Sequence, residues 1–155
     1  MTKTTSNDRE LILVREFDAP KSVVYNVWTK PEHVAKWWGC DTLVNVVCET
    51  DIRVGGAYRY VNRDANGKEH PFTGIYREIV PNERLVYTQI YDVAPWSEHE
   101  ALVTTIFTEE LDRTTVTVHI GSTTGEPFNP MVLKGMESAI GSSIQRMSEY
   151  VKQQT

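Results

Sequence analysis

The sequence predicts an α+β fold in which a curved antiparallel sheet of about six to seven strands packs around one long C-terminal helix. Over Thr42–Ile120 the chain alternates apolar and polar residues between short turn signals, as half-buried strands do. Over Pro127–Lys152 the apolar residues instead recur at intervals of three or four, which is the period of one helix face. We expect a single domain over residues 10–155, preceded by a flexible tail over residues 1–9.

The N-terminal part of this domain predicts one strand and two short helices. Leu11–Phe17 begins as an apolar run and ends in alternation, which indicates a strand. Val23–Trp28 carries apolar residues at helical spacing, and Pro31 interrupts that pattern. A second short helix is therefore expected to begin at Pro31 and to end at Gly39.

The central part of the chain predicts strands joined by tight turns. Gly55-Gly56, Asn66-Gly67 and Pro81-Asn82 are turn signals, and Asn-Gly favours a two-residue hairpin because both of its residues tolerate positive φ. The short connections predict that neighbouring strands pair as an antiparallel meander. The predicted strands are Thr42–Asp51, Ala57–Arg63, Glu69–Val80, Leu85–Tyr91, Ala101–Leu111 and Thr114–Ile120.

The last helix carries two different rows of side chains. Its apolar row consists of Leu133, Met136, Ile140, Ile144, Met147 and Val151. A second row, Gly135, Ala139 and Ser143, is small and repeats every four residues. Small residues on a helix allow close packing against a neighbour, but they also leave room for a ligand, and the sequence leaves both interpretations open.

The predicted architecture favours an internal cavity. A sheet of this size twists and curls, so its concave face needs a cover, and the last helix is the natural one. A curved sheet and a helix rarely close at both ends, and the two short helices would seal only one. We therefore expect a gap between the sheet and the last helix.

Composition excludes several classes of function. The formal net charge of −5, without a run of basic residues, disfavours nucleic acid. No apolar run approaches the roughly 20 residues of a membrane span, and the polar N-terminus lacks a signal-peptide core. We therefore expect a cytoplasmic protein in which Cys40 and Cys48 are free thiols, with a redox pair as the alternative.

The sequence contains no recognisable catalytic, metal or cofactor motif. Histidine pairs at metal-ligand spacing, a glycine-rich phosphate loop and a nucleophile elbow are all absent, so we expect no metal, no cofactor and no catalytic residue set. His70 and His119 could reach the interior, whereas His33 and His99 are expected at the surface.

Four stretches of the chain resemble a known family. EFDAPKSVVYNVWTKPEHVAKWWG looks like the N-terminal signature of the START-like superfamily. More narrowly, it is similar to bacterial homologues of the C-terminal domain of the activator of the 90-kilodalton heat-shock-protein ATPase. DIRVGGAYRY resembles the family's double-glycine strand entry, and FTGIYREIVPNERL resembles its central hairpin. Lys134–Val151 resembles its closing helix.

The resemblance implies a helix-grip fold, in which an antiparallel sheet grips a long C-terminal helix. It also implies a pocket, which in many relatives holds an apolar or aromatic small molecule, and it transfers no active site. Relatives commonly have Gly-Trp in the last helix where this chain has Gly135-Met136. Because Met fills less volume on that side, either the cavity is larger here or other side chains have moved in.

Alternation along the strands predicts which side chains meet inside. Aromatic residues on several strands would share one surface, and Trp37-Trp38 is expected to send one indole into the core and the other to the cavity mouth. A tyrosine-rich core without a ligand is the alternative. The predicted cavity lining is Trp38, Tyr58, Tyr60, Phe72, Tyr76, Tyr87, Phe107, Met136, Ile140 and Ser143.

The function predicted from these observations is binding of a small hydrophobic or aromatic molecule between the sheet and the last helix. A module that contacts a chaperone, as the family name suggests, is a second hypothesis. A cofactor-independent enzyme with His70, His119 or a tyrosine as acid or base is a third. The sequence is compatible with either a monomer or a homodimer.

Overall fold

The computed structural model describes residues 3–7, 9–38, 43–94 and 96–153. In these residues the chain forms eight strands and three α-helices, with a 3₁₀ turn at Trp96–Glu98. The strands are β1 (Lys3–Ser6), β2 (Glu10–Phe17), β3 (Val44–Thr50), β4 (Ala57–Arg63), β5 (Glu69–Val80), β6 (Arg84–Tyr91), β7 (Ala101–Glu110) and β8 (Arg113–Ser122). The helices are α1 (Lys21–Thr29), α2 (Pro31–Trp37) and α3 (Pro130–Lys152).

All eight strands form one sheet in the order β1-β2-β8-β7-β6-β5-β4-β3, and each pair of neighbours is antiparallel. Strands β3 to β8 form the predicted meander, and β2 joins it beside β8. Bulges in the β3–β4 and β5–β6 pairs locally increase strand bending. The predicted helix-grip arrangement, a curved antiparallel sheet with two short helices and a long C-terminal helix, is confirmed.

The strand count differs from the prediction because β1 lies in the expected N-terminal tail. Lys3–Ser6 pairs with β2, with Lys3 opposite Val14 and Ser6 opposite Leu11. The outer edge of β2 would otherwise present unpaired N–H and C=O groups, and β1 satisfies them. The polar composition of this segment gave no apolar pattern from which a strand could be inferred.

Helix α3 has fully buried side chains near its start and along its C-terminal half. Asn129 caps its first turn by accepting a hydrogen bond from the Met131 backbone N–H at 2.9 Å, and the helix begins at Pro130. Val132 is buried near the start, and the remaining buried residues come later. These are Ser143, Ile144, Met147 and Val151. No residue from 133 to 142 is fully buried.

Gly74 in β5 leaves space for the Tyr58 side chain of β4 to reach over β5 to β6. Tyr58 lies opposite Gly74 in the β4–β5 register, and its hydroxyl donates to the Thr88 carbonyl of β6 at 2.7 Å. A Cβ atom on Gly74 would overlap both the Thr88 carbonyl oxygen and the Tyr58 ring. The absence of a side chain at Gly74 therefore allows the buried Tyr58 of β4 to pack over β5 and to hydrogen-bond β6.

We expect Gly74→Ala to lower the free energy of unfolding by about 2–4 kcal/mol, since it combines a steric overlap with loss of a buried hydrogen bond. The matched control is Gly135→Ala, where nothing lies within 4 Å of the added Cβ. This helical substitution should raise stability by about 0.5–1 kcal/mol. Urea unfolding measures both changes, and a Gly74→Ala protein as stable as the wild type would contradict the crowding at this position.

Cys48 is a free thiol that faces α2. Its Sγ–H donates to the Pro31 carbonyl at 3.3 Å. Burial, with a smaller contribution from the negative charge of Glu32, raises the pKa of this thiol to about 11. Three other expectations lie outside the described residues: the end of the second helix at Gly39, the free thiol of Cys40 and the start of a strand at Thr42.

The raised pKa predicts an unreactive thiol. In a Cys40→Ser protein, about one Cys48 side chain in a thousand would be a thiolate at pH 8, so its reaction with a disulfide reagent should be slow. The rate should rise about tenfold for each pH unit up to about 11. The urea-unfolded protein is the control and should react fast at pH 8. A rate that levels off near pH 8–9 in the folded protein would contradict the raised pKa.

Candidate functional site

A cavity of about 410 Å³ lies between the N-terminal half of α3 and the concave face of the sheet. Strands β4 to β8 supply one wall, α3 supplies the opposite wall, and Trp28, Trp37 and Trp38 close one side. The α3 wall consists of Val132, Gly135, Met136, Ser138, Ala139, Ile140, Ser142, Ser143 and Ile144. Six of these nine residues come from the stretch 133–142, in which no residue is fully buried.

The small residues of α3 help to create this space. Gly135 and Ala139 lie one turn apart and both line the cavity. Nothing lies within 4 Å of a Cβ placed on Gly135. The small row predicted from the sequence thus faces open space at its N-terminal end, whereas its last member, Ser143, is buried.

Aromatic rings form a continuous row along the cavity. The Trp38 and Phe72 rings lie 5.4 Å apart and nearly perpendicular, and Phe72 stacks on Tyr91 at 5.0 Å. Tyr91 in turn contacts Trp96 at 5.6 Å. Each ring in this row packs against its neighbour within the range of favourable aromatic pairs.

The two adjacent tryptophans take different positions. Trp37 is 2% exposed, and its indole N–H donates to the Val27 carbonyl at 2.8 Å. Trp38 is only partly buried and contacts Tyr60 and Phe72. Trp37 thus links α2 to α1 within the core, and Trp38 is the more accessible of the two.

A group of tyrosines lies behind the main cavity around a second void of about 10 Å³, which has room for no more than a water molecule. Tyr58, Tyr60 and Tyr76 surround it, and Tyr76 shares a hydrogen bond of 3.1 Å with Thr50. Burial raises the pKa of all three hydroxyls. They are therefore neutral hydrogen-bonding groups of the core.

The ten residues predicted as lining divide into three sets. Trp38, Phe72, Tyr87, Met136, Ile140 and Ser143 line the large cavity. Tyr58, Tyr60 and Tyr76 line only the small void. Phe107 lines neither, because it lies where α1 covers the sheet and packs between Tyr25 and Trp28 at 5.5 and 5.7 Å.

The sequence placed His70 within reach of the interior, but it did not predict that polar side chains gather at one end of the cavity. Asn62, His70, Gln89, Tyr91 and His99 line the cavity where β4 ends, β5 begins and β6 ends. His70 shares a hydrogen bond of 2.6 Å with the Tyr91 hydroxyl and one of 3.0 Å with Asp64. His70 thus lies where it was expected from the sequence, and the alternation of Tyr91 with Tyr87 could have added Tyr91 to the predicted lining.

Two expectations about histidines are corrected. His99 lines the cavity although it was expected at the surface, because the 3₁₀ turn before β7 places it over the sheet. His119 was expected to reach the interior, but it pairs with Glu10 of β2 at 2.6 Å. Both of those side chains are about two-fifths exposed, at 43% and 41%. Val116, Val118 and Ile120 occupy the buried face of β8, so strand alternation already placed His119 on the opposite face. His99, in contrast, follows a turn that has no periodicity.

Within the described ranges, no group of three or more His, Cys, Asp or Glu residues is arranged to hold a metal ion. None of the helices in those ranges is both long and apolar enough to cross a membrane.

Solved structures share this fold over nearly the full length of the chain. A protein from Chromobacterium violaceum is 26% identical, with a TM-score of 0.80, and the alignment covers 92% of this chain and 97% of that one. A protein from Nitrosomonas europaea is 23% identical, with a TM-score of 0.79 and coverages of 97% and 98%. A Rhodobacter sphaeroides protein is 18% identical, with a TM-score of 0.85 and coverages of 98% and 99%.

No curated protein sequence is significantly similar to the chain. The family described as "Activator of Hsp90 ATPase homolog 1-like protein", in contrast, matches residues 18–152. That match includes α1 to α3 and every strand from β3 to β8, and it confirms the resemblance stated from the sequence. The chain belongs to the family of Activator of Hsp90 ATPase homolog 1-like proteins.

Proposed function

We propose that this protein binds a small apolar or aromatic molecule in the cavity between α3 and the sheet. The observation that carries the proposal is the volume of about 410 Å³ together with its aromatic lining. Small-molecule sites have volumes of about 300–1,000 Å³ and are mostly apolar, with a few polar groups that orient the ligand. Here the aromatic row supplies the apolar surface, while polar groups come from the strand ends at one side and from Ser138, Ser142 and Ser143 of α3.

The chemistry of the lining selects the ligand class. Trp28, Tyr87, Val103 and Val118 form the wall farther from the polar end, and they offer rings and methyl groups. A flat aromatic ligand could stack on or meet the edges of these rings and remove apolar surface from water, at about 25 cal/mol per Å². The lining includes no Lys, Arg, Asp or Glu among the residues that the structure describes, so a strongly charged ligand would find no counter-ion in the wall.

A second candidate function is contact with a chaperone of the Hsp90 class. It is favoured by the family description alone, which names an activator of that ATPase. Co-purification with the chaperone and stimulation of its ATPase would support it, and neither effect requires the cavity. The two functions can therefore be tested on separate variants of the same protein.

Met136→Trp should block the ligand site. Met136 lines the cavity, and the larger indole would occupy ligand volume. We expect the affinity for 2-methylnaphthalene, measured through the fluorescence of the ligand, to fall at least about tenfold, which corresponds to about 1.4 kcal/mol.

The matched control is Met131→Trp on the same helix. Met131 is 54% exposed and lies outside the cavity lining, so its replacement should change the affinity by less than about twofold. Equal affinities of the Met136→Trp and wild-type proteins would contradict the proposed site, as would the absence of binding to the wild type.

A further inference from the structure

Three side chains form a hydrogen-bonded chain that ends in the cavity. The Asp64 carboxylate lies 3.0 Å from His70 Nε2, and His70 Nδ1 lies 2.6 Å from the Tyr91 hydroxyl. His70 and Tyr91 both line the cavity, while Asp64 lies in the β4–β5 hairpin behind them. The arrangement connects a carboxylate outside the lining to a phenol inside it.

The Asp64 carboxylate fixes the direction of its hydrogen bond with His70, and a neutral His70 imidazole then fixes the direction of the bond with Tyr91. Its Oδ1 accepts the backbone N–H groups of Asn66 and Lys68 at 2.9 and 3.0 Å. The hydrogen bond from His70, followed by these backbone bonds, lowers the pKa of Asp64, so the group is ionised and can only accept. His70 Nε2 therefore donates to Asp64, and in the neutral imidazole Nδ1 accepts the hydroxyl proton of Tyr91.

Tyr91 is left with an oxygen that can accept a further hydrogen bond. Burial and the charge of Asp64 raise the pKa of Tyr91, so its hydroxyl keeps its proton, which is directed at His70. Among the described residues no other group hydrogen-bonds this oxygen. The stacking of the ring on Phe72 and its contact with Trp96 fix the position of the oxygen.

The neighbouring polar side chain of Asn62 already has hydrogen-bond partners within the protein. The Asn62 amide donates to the Trp38 carbonyl at 3.0 Å and accepts from Asn45 at 3.0 Å. Asn62 thus stabilises the contact between β4 and the end of α2. Tyr91 differs from it in having an oxygen that no described donor reaches.

We propose that the Tyr91 oxygen is the polar anchor of the cavity and accepts a hydrogen bond from the hydroxyl group of an aromatic ligand. His70 and Asp64 are positioning residues that fix which way the Tyr91 hydroxyl points. The ligand class is then an aromatic compound with a hydroxyl at one end, of which 2-naphthol is a simple example. This inference rests on the proposed function and adds the chemical class of its ligand.

The test compares 2-naphthol with 2-methylnaphthalene, in which a methyl group of similar size replaces the hydroxyl. Tyr91→Phe removes the accepting oxygen and keeps the ring. We expect it to weaken 2-naphthol binding about three- to tenfold, the range for a neutral hydrogen bond, and to change 2-methylnaphthalene binding by less than about twofold. The ratio of the changes in affinity for the two ligands is the quantity to compare, because a general effect on packing would alter both affinities and cancel.

The chain offers a matched control in Tyr150→Phe. The Tyr150 hydroxyl also shares a hydrogen bond with a histidine Nδ1, that of His33, at 2.7 Å, and neither residue lines the cavity. This variant should leave both affinities within about twofold of the wild type. An equal loss for both ligands in Tyr91→Phe, or no loss for either, would overturn the anchor and leave the proposed function standing.

A spectroscopic measurement tests the positioning role. Long-range proton–nitrogen correlation spectra of the wild-type protein at neutral pH should show His70 protonated on Nε2, with Nδ1 as an acceptor. Asp64→Asn should make the affinity for 2-naphthol less sensitive to the Tyr91→Phe replacement than it is in the wild type. The affinity for 2-methylnaphthalene should stay unchanged. A His70 signal with the proton on Nδ1 alone would overturn the proposed direction. Failure of both naphthalenes to bind the wild type would instead overturn the proposed function.

Discussion

The cavity depends on how α3 is held against the sheet. Val132 packs at the start of the helix, and Ile144, Met147 and Val151 pack along its second half. Residues 133–142 cross the curved face between these two points without a fully buried side chain. A straight helix that spans a concave sheet must leave a gap between its attachment points, and the small Gly135 enlarges that gap instead of closing it.

The two parts of the aromatic interior serve different purposes. Tyr58, Tyr60 and Tyr76 pack around a void too small for a ligand, and their hydroxyls are buried and neutral. Tyr91 belongs to the aromatic row and hydrogen-bonds His70 at the polar end of the main cavity. The Tyr58 side chain passes over Gly74 and hydrogen-bonds the Thr88 carbonyl, so it links β4 to β6 beneath the aromatic row.

Helical periodicity and strand alternation were sufficient to predict the fold, because burial on one face of each element leaves a clear pattern. The lining was only partly predictable. Alternation identifies which residues share a face of the sheet. It does not identify which part of that face lies opposite the cavity, so Phe107 could not be distinguished from Phe72. Trp96 and His99 lie in and just after a 3₁₀ turn without periodicity, and the polar β1 gave no strand signal. Their placement depends on tertiary contacts.

The methionine methyl groups give the most direct test of an occupied gap under α3. Met136 lines the cavity, Met147 is fully buried below it, and Met131 is exposed outside it. In a protein carrying carbon-13 methyl methionine, titration with 2-naphthol should shift the Met136 signal to saturation. The Met131 and Met147 signals should move little. A titration in which Met136 does not shift, or in which Met131 shifts most, would contradict a ligand site between α3 and the sheet.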